Sequence, residues 1–125
     1  VNGLVGSEMC IRDRNKYKNN EFNYDILVYV ANWPAVRSNA WKSVLKARAI
    51  ENMSYVVGVN RIGQDANEIK YNGNSRVYDF KGERMDDFME NMPRVQINNL
   101  DKNELDSFRN KFPVLKDADD FNLLI

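Results

Sequence analysis

YDILVYVANWPAVRSNAWKSVLKARAIENMSYVVGVNRIG, residues 24–63, carries the pattern that decides the fold. Asp25–Ala31 (DILVYVA) is a continuous β-branched and aromatic run, which predicts a strand buried on both faces. Asn32-Trp33-Pro34 ends it, because Pro34 has no backbone donor to continue a ladder. Ser38 then stands as an N-cap for a helix to Asn52, with Trp41, Val44, Leu45, Arg48, Ala49 and Asn52 on one face. Tyr55–Val59 (YVVGV) predicts a second buried strand, closing at Asn60-Arg61-Ile62-Gly63. Strand, helix, strand within one short stretch predicts a layered α/β sheet rather than a helical bundle.

Downstream of this unit the signals are weaker. Gln64–Asn74 is polar and holds Asn72-Gly73, so it reads as a loop into a third strand, Ser75–Phe80. Lys81-Gly82-Glu83 is a turn. Met85, Phe88, Met89 and Met92 have the spacing of a short helix, and Arg94–Asn98 alternates as a strand does. Asp101 and Glu104 form an acidic capping box for a helix whose inner face is Leu105, Phe108 and Phe112, stopped by Pro113. Leu115, Phe121, Leu123 and Leu124 give the tail an apolar face to dock.

Composition narrows the function. The chain has 125 residues, 43% of them apolar, which suits one domain with a real core. Lys plus Arg and Asp plus Glu number 18 each, so no basic excess points to nucleic acid. No stretch approaches the roughly 20 apolar residues of a membrane span, and the opening residues lack the form of a signal peptide. A single cysteine, Cys10, fits a reducing cytoplasm. Histidine is absent, which removes Ser-His-Asp and Cys-His catalysis and nearly all zinc chemistry.

Four markers within residues 24–63 carry a resemblance: Ala31-Asn32-Trp33-Pro34 after the first strand, Trp41 early in the helix, Ala47-Arg48-Ala49-Ile50-Glu51-Asn52 at its end, and Val59-Asn60-Arg61-Ile62-Gly63 after the next strand. In order and spacing they resemble the later half of the nitrilase, or carbon–nitrogen hydrolase, superfamily, nearest its omega-amidase-like subgroup. Leu100–Phe121 resembles the same subgroup's C-terminus. The resemblance implies the C-terminal half of a four-layer α-β-β-α sandwich, a homodimer, a small-molecule amide substrate such as a 2-oxo acid monoamide, and no cofactor or metal. It also implies a glutamate base, a lysine and a nucleophilic cysteine, all of which belong upstream of the strand at Asp25.

Cys10 does not fill that place. The family's cysteine should open a run such as Cys-Tyr-Asp-Leu-Arg-Phe-Pro, and Ile11-Arg12-Asp13-Arg14-Asn15 departs from it. Leu4–Arg14 (LVGSEMCIRDR) instead resembles a translated sequencing adapter. Residues 1–14 are therefore expected to be an artefactual or disordered N-terminus, and residues 15–125 a partial hydrolase domain that is inactive as written. No catalytic residue is assigned. Asn32 and Trp33 are the candidate substrate-binding residues, because the family sets pocket-wall residues after this strand. The competing reading is a strand-ending turn with Trp33 packed in the core. Arg48, Glu51 and Asn52 read as a structural or dimer-interface cluster, and Asn60 and Arg61 as loop anchors. Asp117, Asp119 and Asp120 read as a solvated tail. The alternative to an enzyme is a member of the same fold acting through oligomer contacts.

Overall fold

A computed structural model describes residues 17–18, 21–22, 24–117, 119 and 124. Cys10, the expected boundary after residue 14, and Asp120, Phe121 and Leu123 lie outside the described residues. A small antiparallel pair, β1 (Tyr17–Lys18) and β2 (Glu21–Phe22), precedes the main sheet. That sheet has the strand order β3-β4-β7, with β3 spanning Ile26–Ala31, β4 Tyr55–Asn60 and β7 Arg76–Tyr78. β3 and β4 are parallel, in register from Ile26↔Tyr55 to Ala31↔Asn60. β7 joins β4 antiparallel, with Val57 opposite Val77.

The crossover between the parallel strands is the expected helix, α1 (Ser38–Asn52). Its buried face is Trp41, Leu45, Arg48, Ala49 and Asn52, the 3–4 spacing that lets one stripe meet a sheet. With Tyr29, Val56 and Tyr78 these apolar residues form the main core, against which Leu27, Ala31 and Trp33 pack. Arg48 and Glu51 form an ion pair and Asn52 Nδ2 donates to the Arg48 carbonyl (3.1 Å), a local brace on the helix.

Gly58 makes the close approach of α1 possible. A Cβ there would lie 2.9 Å from Trp41 Cζ2 and closer still to Leu45 Cδ1. Successive strand residues face opposite sides, so β4 sends Val56 to α1 and Val57 and Val59 to the other face.

That other face corrects the first expectation. β3 is not buried on both sides: Val28 is 54% and Val30 73% exposed, with Ile26 and Val59 also open. α1 covers one face only. The second helix, α2 (Lys102–Lys111), covers just the start of the opposite face, where Leu105 packs with Tyr55 and Phe80 beside Met85, Leu100 and Phe108.

Other local expectations change for identifiable reasons. Ser38 opens α1 without capping it; a short 3-10 helix, Ala35–Arg37, leads in, and Ser38 Oγ lies 2.8 Å from both Ala35 O and Asn72 Oδ1, with its one proton shared between them. The polar stretch after β4 is a hairpin rather than a loop, with β5 (Ile62–Gln64) antiparallel to β6 (Lys70–Asn72). Its connection is held by Asp65 Oδ1, which accepts from Asn67 N (2.8 Å) and Ile69 N (3.0 Å), a side-chain turn that hydropathy does not report. Residues 85–92 are not helical, and 94–98 form no strand; Val95 and Ile97 stand exposed with no ladder partner. Asp101 does cap α2, accepting from Asn103 N (2.8 Å) and Glu104 N (3.1 Å).

Candidate functional site at the strand ends

Parallel strands with a helical crossover leave their C-terminal ends side by side, where α/β proteins build sites. Here Ala31 of β3 pairs with Asn60 of β4. Asn32-Trp33-Pro34 leaves one strand and Asn60-Arg61 the other. The structure thus brings together the two segments singled out in the sequence.

Trp33 is half-buried and held at every edge. Its backbone N–H donates to Asn60 Oδ1 (2.7 Å), and its carbonyl accepts from Asn60 Nδ2 (3.0 Å). Its indole Nε1 donates to the Arg37 carbonyl (2.7 Å), and the Arg37 guanidinium lies over the ring, 4.8 Å from its centroid. The Trp33 and Trp41 rings are tilted against each other with centroids 5.5 Å apart. Trp41 is itself buried, with its Nε1 donating to the Asn74 carbonyl (2.7 Å). Asn32 is exposed. The strand end therefore offers one free amide side chain beside a fixed aromatic ring.

Asn60 is the residue whose role sequence reading understated. It anchors a loop as expected, but it joins three segments. Besides Trp33, its Nδ2 donates to the Gly73 carbonyl (2.7 Å), and its backbone N–H donates to Ser75 Oγ (3.0 Å). The available signal was an Asn directly ending a strand whose parallel neighbour is stopped by proline.

Asn60 and Arg61 also line a cavity of about 510 Å³, together with Ser75, Arg76, Met92 and Arg94. Asn32 and Trp33 do not line it; the loop and the cavity meet at Asn60. No Asp or Glu is in the cavity wall. Arg94 pairs with Asp87 (2.9 Å), and Arg76 approaches the buried Asp86 carboxylate (3.7 Å). Arg61 stacks over Tyr71, 4.7 Å from the ring centroid. The rest of the wall is largely apolar, with Val57, Val59, Val77, Phe88, Met89 and Leu100, so it suits a small molecule with an apolar body and a polar end. Beyond the cavity, Asp86 accepts from Arg84, and this hydrogen bond raises the Arg84 pKa above its ordinary value.

Among the described residues no cluster of His, Cys, Asp or Glu could hold a metal ion. The described residues include no cysteine; what they supply at the strand ends is walls and hydrogen bonds.

Residues 4–110 match the family described as carbon-nitrogen hydrolase; the match includes the adapter-like residues 4–14. The omega-amidase YafV of Escherichia coli (strain K12) is 45% identical over 101 residues, covering 81% of this chain and 40% of that protein. The 2-oxoglutaramate amidase of Paenarthrobacter nicotinovorans is 39% identical over 92 residues, covering 72% of this chain and 30% of that protein. Among solved structures, XC1258 from Xanthomonas campestris, a CN-hydrolase superfamily protein with an arsenic adduct in its active site, superposes with a TM-score of 0.83 at 34% identity. That match covers 95% of this chain and 46% of the other. The chain thus spans less than half the length of each of these proteins.

Proposed function

The chain belongs to the carbon-nitrogen hydrolase family, and from that premise we propose that the full-length protein containing it is an omega-amidase-like hydrolase of small linear amides, with 2-oxo acid monoamides as its substrates. The observation that carries this reading is the 45% identity to an omega-amidase over 101 residues. The similarity to a 2-oxoglutaramate amidase supports the same substrate class.

In this reading a cysteine thiolate attacks the amide carbonyl to form a tetrahedral intermediate. That intermediate expels ammonia and leaves a thioester. Water then attacks the thioester, releasing the carboxylic acid and restoring the thiol. The family's glutamate moves the protons, and its lysine with a backbone N–H stabilises the oxyanion. These groups fall outside the described residues. In this reading the described residues contribute the far wall: Asn32 offers an amide to the substrate's polar end, beside the Trp33 ring that Arg37 and Trp41 hold in place.

The same reading makes the protein a cytoplasmic homodimer without a cofactor. No helix among the described residues is long and apolar enough to cross a membrane.

The test is ammonia release by the full-length protein from 2-oxoglutaramate, beside a nitrile and an unrelated amide. Turnover of the 2-oxo acid monoamide above the others is expected. Asn32→Ala should raise KM for that substrate. Absence of turnover on every amide would sink the reading and favour a member of the fold that acts through oligomer contacts.

A further inference from the structure

Asn60 sits where the β3–β4 ladder can no longer continue. Ala31↔Asn60 is the last pair in register. Past it, the Arg61 carbonyl is already taken by the N–H of Gly73 (3.0 Å). Among the described residues the backbone of Trp33 makes no main-chain hydrogen bond to the neighbouring strand.

The Asn60 side chain takes that place. A primary amide presents one acceptor and two donor hydrogens in a plane, the donor and acceptor of a peptide unit plus one further donor. Its Oδ1 meets the Trp33 N–H (2.7 Å) and its Nδ2 meets the Trp33 carbonyl (3.0 Å), as a ladder partner would. The second Nδ2 hydrogen goes to Gly73 O (2.7 Å), so the same group ties the loop to the hairpin side. Asn60 is only 9% exposed. Its own backbone is fixed by Ser75, whose Oγ accepts from Asn60 N (3.0 Å) and donates to Asn60 O (3.3 Å).

We propose that Asn60 is a positioning residue for substrate recognition: its amide stands in for a missing ladder rung and holds the Asn32–Trp33 wall in one conformation beside the cavity. The proposal rests on the amidase reading, since a positioned wall affects turnover only where that wall meets the substrate. Only Asn fits the role. Asp keeps the acceptor but loses both donors, Ala loses all three bonds, and Gln places the amide one carbon too far along.

Two measurements test it. In the full-length enzyme, Asn60→Asp, which loses two of these bonds, and Asn60→Ala, which loses three, should each raise KM for a 2-oxo acid monoamide by at least about tenfold, the scale of a single lost buried hydrogen bond, with kcat changed less. In the 125-residue chain labelled with 5-fluorotryptophan, one 19F resonance is expected for each of the two tryptophans. The Trp33 resonance should move in both variants, and that of Trp41, which touches the Trp33 ring but is itself held by Asn74, should move less. Unfolding of the Ala variant would leave the isosteric Asp variant to carry both readouts. A fixed Trp33 resonance overturns the rung, and a shifted resonance with unchanged KM overturns the positioning role. A wild-type enzyme that turns over no amide sinks the amidase reading instead, and the role in recognition falls with it.

Discussion

Gly58 shows how one missing methyl sets the distance between two layers. Its position on β4 lies under the Trp41 and Leu45 side chains, and there is no free volume for a Cβ. A methyl group cannot be absorbed by a flexible neighbour, because both contacts are core residues about 2% exposed. Gly58→Ala should therefore destabilise the chain by about 1–3 kcal/mol, the usual cost of overpacking a core. A lowered urea midpoint with an unchanged slope would report it. Trp33 belongs to the same scale. Its position after a β-branched run and before Pro34 was readable from the sequence, because proline fixes where a ladder stops. Its bonds to Asn60 were not readable, since they join residues 27 apart through a side-chain amide that carries no periodicity.

Among elements, the legible ones were those whose order is set by local chemistry. β3, α1 and β4 follow from β-branched runs and a 3–4 stripe, and α2 follows from its cap. The Asp101 carboxylate satisfies two N–H groups at the start of α2 that have no partner within the helix. Asp101→Ala should cost about 1 kcal/mol, measurable by thermal or urea unfolding. The Tyr55 hydroxyl would still donate to the Asp101 carbonyl and accept its N–H (both 3.1 Å), so the helix should loosen without leaving the sheet. The β5–β6 hairpin was missed because a polar strand pair has no hydrophobic alternation to read. The strand expected at residues 94–98 fails for the opposite reason. Alternation is present, but no strand among the described residues lies beside it to accept its hydrogen bonds, and an unpaired strand is not stable in water.

For the whole molecule, sequence placed the chain in its fold class, and the superposition onto XC1258 agrees with a partial α-β-β-α sandwich. Two apolar strands with only one helix between them already implied that much of the sheet is uncovered, and the β3 face bearing Val28 and Val30 is open among the described residues; which face it would be was not legible, because an apolar run looks the same whether one or two layers cover it. The ties between distant parts were equally illegible. Arg109 of α2 is buried; its guanidinium donates to Asp25 Oδ1 (2.6 Å), Tyr24 O and Met53 O (both 2.9 Å) and lies over the Phe22 ring. Burial alone would raise the Asp25 pKa, but Arg109 and Lys102 outweigh it and hold the carboxyl below its ordinary 3.8. The stabilisation is full above the unfolded value and is lost as pH falls below 3.8 through the folded one. The gap in urea midpoint between wild type and Asp25→Asn should therefore shrink under acid conditions below that pH; a gap constant across this range would refute the linkage. The same clasp has a kinetic meaning. Asp25 and Arg109 are 84 residues apart, whereas β3 meets β4 across one helix. Closing the longer loop costs more chain entropy and returns nothing until both ends are already shaped. The helix that carries Arg109 is thus expected to dock late in folding, a latch over the strand–helix–strand unit, which low φ-values for substitutions in α2 would check.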